Sequence, residues 1–418
     1  MQMLPLASGL VKRGHRVHVA LRHLSTAAAQ VFARAGVSFR QAPFKSAGPR
    51  PFARTPGFAH VLANTGWGET GELSLLAYAW RNLVQDARAD MIVGDHSPTA
   101  LLASRAVPWP VRRVLIGSGF CCPPDTCPLP ALINGADVAK LAEDEAAVLV
   151  RANHVLNQWR KPPLERLGQL YSEVDETFLT TFPELEQYPS RTGAEYWGPV
   201  LDGQGGKAPQ WPEGDRPLTP TLSPAYRGEG EKRVFAYLKP FAGLEGLLKS
   251  LSEKGCRTLL YIDGLDVATR RKLESPTMRF ERERLDLAKV AAECDLAVLH
   301  AGQGATAAML LAGKPVLQIP LVLEQQLTAR AVAKLGAGET ASPNRPESIR
   351  EKLDALLASD RYAAAARAFA AKYTDFDPAA QVERMVGRME ELLEDSNGRA
   401  LTPRPARGPR VPDGIFRA

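Results

Sequence analysis

The chain has 418 residues, 45% apolar and 23% charged. That is an ordinary soluble globular balance, and the length allows more than one hydrophobic core. No apolar run approaches the roughly 18–20 residues that cross a bilayer, and Met1–Ala7 is too short for a secretory leader, with its charge following at Lys12 and Arg13. The expectation is a cytoplasmic enzyme. The formal charge is +6, but after Asp395 five arginines (Arg399, Arg404, Arg407, Arg410, Arg417) face only Asp413, so +4 of it sits in the tail. The rest is nearly neutral, which argues against a nucleic-acid partner. The five cysteines are an odd count in a long chain, which disfavours a disulfide framework, and the FCCPPDTC cluster (Cys121, Cys122, Cys127) fits no common zinc spacing.

Taken in chain order, Leu4–Lys12 has helical spacing and stops at Arg13-Gly14-His15. Arg16–Ala20 alternates as a strand. Ser25–Ala35 reads as a helix closed by Gly36, and Val37–Arg40 as a short strand. Met91-Ile92-Val93 is a buried strand, Pro98–Arg105 a helix and Val111–Ile116 another strand. The second half repeats the style. Val234–Tyr237, Thr258–Ile262, Leu296–Leu299 and Val316–Ile319 read as strands, with helices at Gly243–Glu253, Asp286–Glu293 and Gln326–Leu335. Alternating strand and helix patterns predict an α/β fold of two doubly wound, Rossmann-like parallel-sheet halves, with the ligand crevice at the carboxyl ends of the strands. Between the halves, Asp215–Glu231 has no period and is rich in Pro, Gly, Ser and Thr, as a linker would be.

The richest stretch is Asp295–Gly338. A strand ends at His300; the loop Ala301-Gly302-Gln303-Gly304 opens a helix over Ala305–Leu311; Gly313-Lys314-Pro315 closes it. Two glycines at a helix N-terminus let backbone N–H groups approach a ligand, and the helix dipole favours negative charge there. The chemistry suits a diphosphate. It is neither a Rossmann fingerprint, which needs a glycine where Ala307 stands, nor a P-loop.

This segment resembles the donor-binding signature of family 1 glycosyltransferases, the GT-B enzymes that include macrolide and flavonoid glycosyltransferases. His300, Gly302 and Gly304 match its first part, Gly313, Pro315 and Pro320 its middle, and Glu324, Gln325 and Ala329 its end, with the spacing kept. The resemblance implies that His300 and the backbone of Gly302, Gln303, Gly304, Ala305 and Thr306 hold the donor diphosphate, and that Glu324 and Gln325 bond the sugar hydroxyls. One departure stands out: the family's ribose-binding Glu is Ala308 here. Thr181–Leu185, Tyr196–Pro199 and Gly94-Asp95-His96 extend the likeness into the first half.

In that family the chain opens with a strand and a loop whose His is the general base. Met1–Ala7 aligns with the helix that follows, so the expectation is that strand and base lie before Met1. Asp95 is then the nearest catalytic candidate, with helix N-capping as its ordinary alternative. His15 is expected to be structural. Asp375-Phe376-Asp377 has a metal-motif look, but Pro378 follows directly, so Asp377 reads as a helix cap and no metal is expected.

The resulting division is an acceptor-binding domain over 1–202, a disordered linker over 203–232, a donor-binding domain over 233–385, and a helix end with a disordered basic tail over 386–418. The function expected is an inverting transfer of a hexose from a UDP-sugar, as co-substrate and with no cofactor, to a hydroxyl of a small lipophilic acceptor. Phe44–Glu72 and Gly119–Leu132 would shape the acceptor pocket. The alternatives are a catalytically impaired nucleotide-sugar-binding protein of the same fold, and a GT-B-fold sugar-nucleotide epimerase.

Overall fold

The computed structural model describes residues 3–46, 48–201, 206–212 and 232–397. The first half runs α1 (Met3–Lys12), β1 (His18–Leu21), α2 (Thr26–Arg34), β2 (Ser38–Gln41), α3 (Phe58–Leu62) and α4 (Thr70–Ala87). It continues with β3 (Met91–Asp95), α5 (Pro98–Ser104), β4 (Arg112–Gly117), α6 (Val138–Gln158), α7 (Gln169–Ser172) and β5 (Glu176–Leu179). The second half runs β6 (Arg233–Leu238), α8 (Leu244–Glu253), β7 (Arg257–Ile262), α9 (Val267–Leu273), β8 (Met278–Glu281) and α10 (Leu287–Glu293). Then come β9 (Leu296–Leu299), α11 (Gln303–Leu311), β10 (Val316–Gln318), α12 (Leu323–Leu335) and β11 (Gly338–Thr340), and finally α13 (Pro346–Ala358), α14 (Arg361–Lys372) and α15 (Pro378–Asn397).

The second half holds one six-stranded sheet, ordered β11-β10-β9-β6-β7-β8, with every pair parallel. Its strands are near-continuous apolar runs because helices cover both faces. Leu296, Ala297, Val298 and Leu299 are all buried, and each such large side chain contributes about 1.5–3 kcal/mol. The order reverses between β6 and β9, which opens a crevice at their carboxyl ends.

The first half is built differently. Its strands form two sheets, β1-β2 and β3-β4-β5, again parallel. One helix spans both: α1 packs Leu6, Met3 and Leu10 against Val114, Ile116, Met91 and Val93, and Ala7, Leu4 and Val11 against Val17, Val19 and Leu21. The two sheets therefore belong to one layer, interrupted between β1 and β3. Among the described residues no strand fills that place, and the side chains there stay half-buried.

The halves interlock. Phe182 and Leu185 from the first half enter the core of the second beside Phe369 and Phe376. Leu327 of α12 joins the core of the first. The last helix crosses back: Val382, Met385, Val386 and Met389 of α15 pack on Leu6 and Ile116. Residues 382–392 are thus part of the first half's core, and a boundary at 385 divides a single helix. The amphipathic stripe of α15 shows in the sequence, but not which half it covers.

The linker expectation over 203–232 needs a similar correction. Lys207 bridges Leu285 in parallel, and Trp211 Nε1 donates to Glu293. Residues 206–212 are tied to the second half by these contacts, while 202–205, 213–231 and the tail after 397 lie outside the described residues.

Candidate functional site

At the crevice, β9 delivers His300. Its Nε2 accepts from the Lys239 N–H at 2.7 Å and its Nδ1 donates to the Ile319 carbonyl at 2.6 Å. Those partners follow β6 and β10, so a single imidazole ties three strand ends together at the point where the order reverses. The ring packs edge-on against Phe241 at 5.6 Å. Ala301 then takes a left-handed turn, φ 58°, a conformation that a non-glycine residue adopts under constraint. It aims the chain into α11.

That helix starts at Gln303, two residues earlier than the pattern suggested, with Gly302 as its N-cap and no capping side chain. The first-turn N–H groups are not satisfied by a capping side chain, which is how a helix end takes an anion. A Cβ placed at Gly302 or Gly304 meets nothing within 4 Å. No protein atom requires glycine at either position; the space in front of the helix is open. Thr306 is fully buried, and its hydroxyl accepts from Gln318 behind the helix. Its side chain therefore faces the core.

α12 likewise begins at Leu323 rather than Gln326. The cause is Gln325, whose Oε1 accepts from the Leu321 and Val322 N–H groups at 2.7 and 3.3 Å. Those bonds satisfy the helix start and carry it upstream. Glu324 points across to the first half, where the Ser118 hydroxyl donates to its Oε1 at 3.0 Å. Burial pushes its carboxyl pKa up and the Asp95 charge adds to this, while the Ser118 bond opposes.

Asp95 ends β3 opposite Ile116, and its Oδ1 would lie 3.6 Å from a Cβ added at the neighbouring Gly117. It does not cap α5. Ser97 holds the N-cap position and its hydroxyl donates to the Asp95 carbonyl. His96 is left-handed, φ 44°, and packs between Phe58 and Phe120 at 6.1 and 5.9 Å. Burial pushes its pKa down to about 4, so the ring is neutral at ordinary pH, and its buried Nδ1 has no protein partner. His15 instead pairs with Glu390 at 3.0 Å, tying the end of α1 to α15, and is structural in that sense.

One cavity of about 1910 Å³ brings these groups together. Gln303, Gly304, Ala305, Ala308 and Glu324 line it from the second half, Asp95 and His96 from the first. His300 and Thr306 are buried, while Gly302 is exposed at the start of α11. Phe44, Lys45 and Phe120 also line it, but much of the expected acceptor loop is ordered: α3 and the turn after it bury Phe58 and Trp67. The cavity continues into the interruption between β1 and β3. Asp377 caps α15 through the Ala379 and Ala380 N–H groups, and among the described residues no group of three or more His, Cys, Asp or Glu is arranged to hold a metal. Sequence reasoning missed Ser118 and Gln187, which lie in irregular segments with no pattern to mark them; Thr328 stands in the signature where the family has Asn, and its hydroxyl meets Gln187.

No family model matches the chain. A curated relative, the PGL/p-HBAD biosynthesis rhamnosyltransferase of Mycobacterium bovis, is 26% identical over 289 residues, covering 64% of this chain and 60% of its own length. The chain thus matches only about 60% of that relative's length. The elloramycin glycosyltransferase ElmGT of Streptomyces olivaceus is 44% identical over 82 residues, 19% of this chain and 20% of its own. Among solved structures, the calicheamicin glycosyltransferase CalG4 aligns at a TM-score of 0.65 with 17% identity over 94% of both chains. The glycosyltransferase VinC, solved in complex with DTDP, aligns at 0.63 with 14% identity over 94% of this chain and 96% of its own. These fix the architecture as GT-B, two Rossmann-like halves facing a cleft. The chain thus shares the GT-B fold of these solved structures and is similar in sequence to bacterial glycosyltransferases.

Proposed function

We propose that this chain is an inverting glycosyltransferase that moves a hexose from a nucleoside-diphospho-sugar to a hydroxyl of a small lipophilic acceptor. The observation that carries this reading is the open N-terminus of α11 facing the same cavity as Glu324 and Asp95. The donor diphosphate would lie against the first turn of α11, at the positive end of the helix dipole. His300 would act by holding the three strand ends that place this turn. Glu324, kept near Ser118, would accept from sugar hydroxyls. Gln325 would serve mainly by fixing the start of α12.

In the reaction the acceptor oxygen attacks the anomeric carbon from the face opposite the diphosphate. The new C–O bond forms as the bond to the diphosphate breaks, and the acceptor proton passes to a base on the acceptor side. Asp95 and the neutral His96 are among the titratable groups that the first half presents to the cavity.

The donor nucleoside is the finer question. Ala308 offers no carboxylate to ribose hydroxyls, and one structural neighbour was solved with DTDP and another with thymidine diphosphate. UDP-linked and dTDP-linked sugars are therefore both tested. Nucleoside diphosphate release is followed with each donor, with and without a panel of hydrophobic alcohols and phenols. Release that depends on the acceptor supports a transferase. Conversion of the donor without acceptor supports the epimerase reading, and tight donor binding with no turnover supports the impaired binding protein.

A further inference from the structure

We infer that Gln187 is a positioning residue that locks the donor-sugar carboxylate to the acceptor side of the cleft. The inference rests on the transferase reading above and goes beyond it, because Gln187 touches neither donor nor acceptor.

Gln187 lies in the irregular segment after β5, only 5% exposed. A buried primary amide has to place two donors and an acceptor. Gln187 places them on both halves of the molecule. Its Oε1 accepts from the Phe120 N–H at 2.5 Å, on the first-half loop that carries Ser118. Its Nε2 donates to the Glu324 carbonyl at 3.2 Å and to Thr328 Oγ1 at 2.8 Å, both on the first turns of α12. The Thr328 hydroxyl in turn lies 3.2 Å from the Glu324 carbonyl and 3.5 Å from Gln303 Oε1. Gln303 donates to Thr181 of the first half.

One amide thus sets the distance between the backbone of Glu324 and the loop whose Ser118 hydroxyl holds the Glu324 carboxylate. Both ends of Glu324 are fixed, the carbonyl through Gln187 and the carboxylate through Ser118. Without the amide the Ser118–Glu324 bond would remain possible, but the first turn of α12 could drift relative to the acceptor loop. Drifts of about 1 Å in such a frame reduce turnover by large factors. The nucleotide end of the donor, held by α11 and the strand ends tied by His300, has no direct bond to this amide.

The test separates these two ends of the donor. Gln187→Glu keeps the acceptor to Phe120 and loses the donated bonds; Gln187→Met keeps shape and loses all three. Calorimetry measures the affinity for the nucleoside diphosphate alone and for the same nucleoside-diphospho-sugar, and steady-state kinetics measures kcat. In both variants, affinity for the free nucleoside diphosphate is expected to stay within about twofold of wild type. The additional affinity contributed by the sugar is expected to vanish and kcat to fall about 10–100-fold. Gln187→Asn, which retains both functional groups on a shorter arm, should recover part of kcat. Equal losses of nucleotide and nucleotide-sugar binding would overturn the inference, since they indicate general loosening. So would unchanged kcat in Gln187→Met. Failure of the wild-type protein to bind any nucleoside diphosphate would instead sink the transferase reading itself.

Discussion

The two halves of this molecule solve the same architectural problem with different completeness. The second half closes its sheet: six parallel strands in unbroken order, with fully buried β9 at the centre. The first half has two sheets under one helix, and apolar residues of β1 and β3 that stay half-buried across the interruption. A parallel sheet buries backbone and side chains only when its strands are contiguous. The closed half carries the candidate donor site, where phosphate geometry demands fixed N–H groups. The interrupted half lines the other side of the cavity, and depends for part of its core on α15.

The largest expected effect sharpens that contrast. Val298→Asp, in the closed sheet, buries a carboxylate with no partner and should cost more than about 4 kcal/mol, abolishing cooperative unfolding of the second half. Val19→Asp, on the half-buried β1, should cost about 1–2 kcal/mol. Denaturant titration monitored by hydrogen exchange would report both; equal costs would mean that the interruption is not a weak place.

A smaller effect is expected where the halves meet. Gly198 has φ 74°, and a Cβ there would lie 2.3 Å from the Phe376 ring, which itself packs on Phe182 at 5.2 Å. Gly198→Ala should destabilise by about 1–3 kcal/mol through backbone strain and displacement of that ring. If its unfolding midpoint equals that of wild type, Phe376 is not a fixed contact between the halves.

His96 gives the most specific signal. Its folded pKa of about 4 lies below the ordinary 6.5. Between those values the unfolded chain binds a proton that the folded chain refuses. Stability is therefore complete above pH 6.5 and falls, by on the order of 1–3 kcal/mol, as pH drops towards 4. Glu145 works in the opposite sense: burial raises its pKa to about 7, so the folded chain gains relative stability as pH falls through the same window. The pH dependence of His96→Phe, subtracted from that of wild type, isolates the histidine. A flat difference would show that the ring is hydrated rather than buried.

Much of the fold was legible because the strands of the second half are short apolar runs between punctuated helices, a pattern with one physical meaning. The candidate donor loop was legible for the same reason: Gly302 and Gly304 follow a strand and open a helix. The start of α12 was misplaced because the capping role of Gln325 depends on a side chain reaching back to Leu321, which no periodicity records. Of the residues that join the halves, Thr181–Leu185 carry part of the family likeness, but Gln187 and Ser118 were not legible: they belong to irregular segments, and their significance comes from what lies opposite them in space. The destination of α15 was hidden likewise, since a stripe shows that a helix is buried but not against what.

The central claim is that the open mouth of α11 receives a nucleoside diphosphate. It is tested most directly by calorimetric titration of UDP, dTDP and their glucose conjugates into wild type and Gly304→Val. Because an added Cβ at Gly304 meets no protein atom within 4 Å, the variant should keep its thermal stability while losing at least about tenfold in affinity, as its side chain occupies the space the phosphates need. Unchanged affinity in a folded variant, or no binding of any of these ligands to folded wild type, would contradict the account.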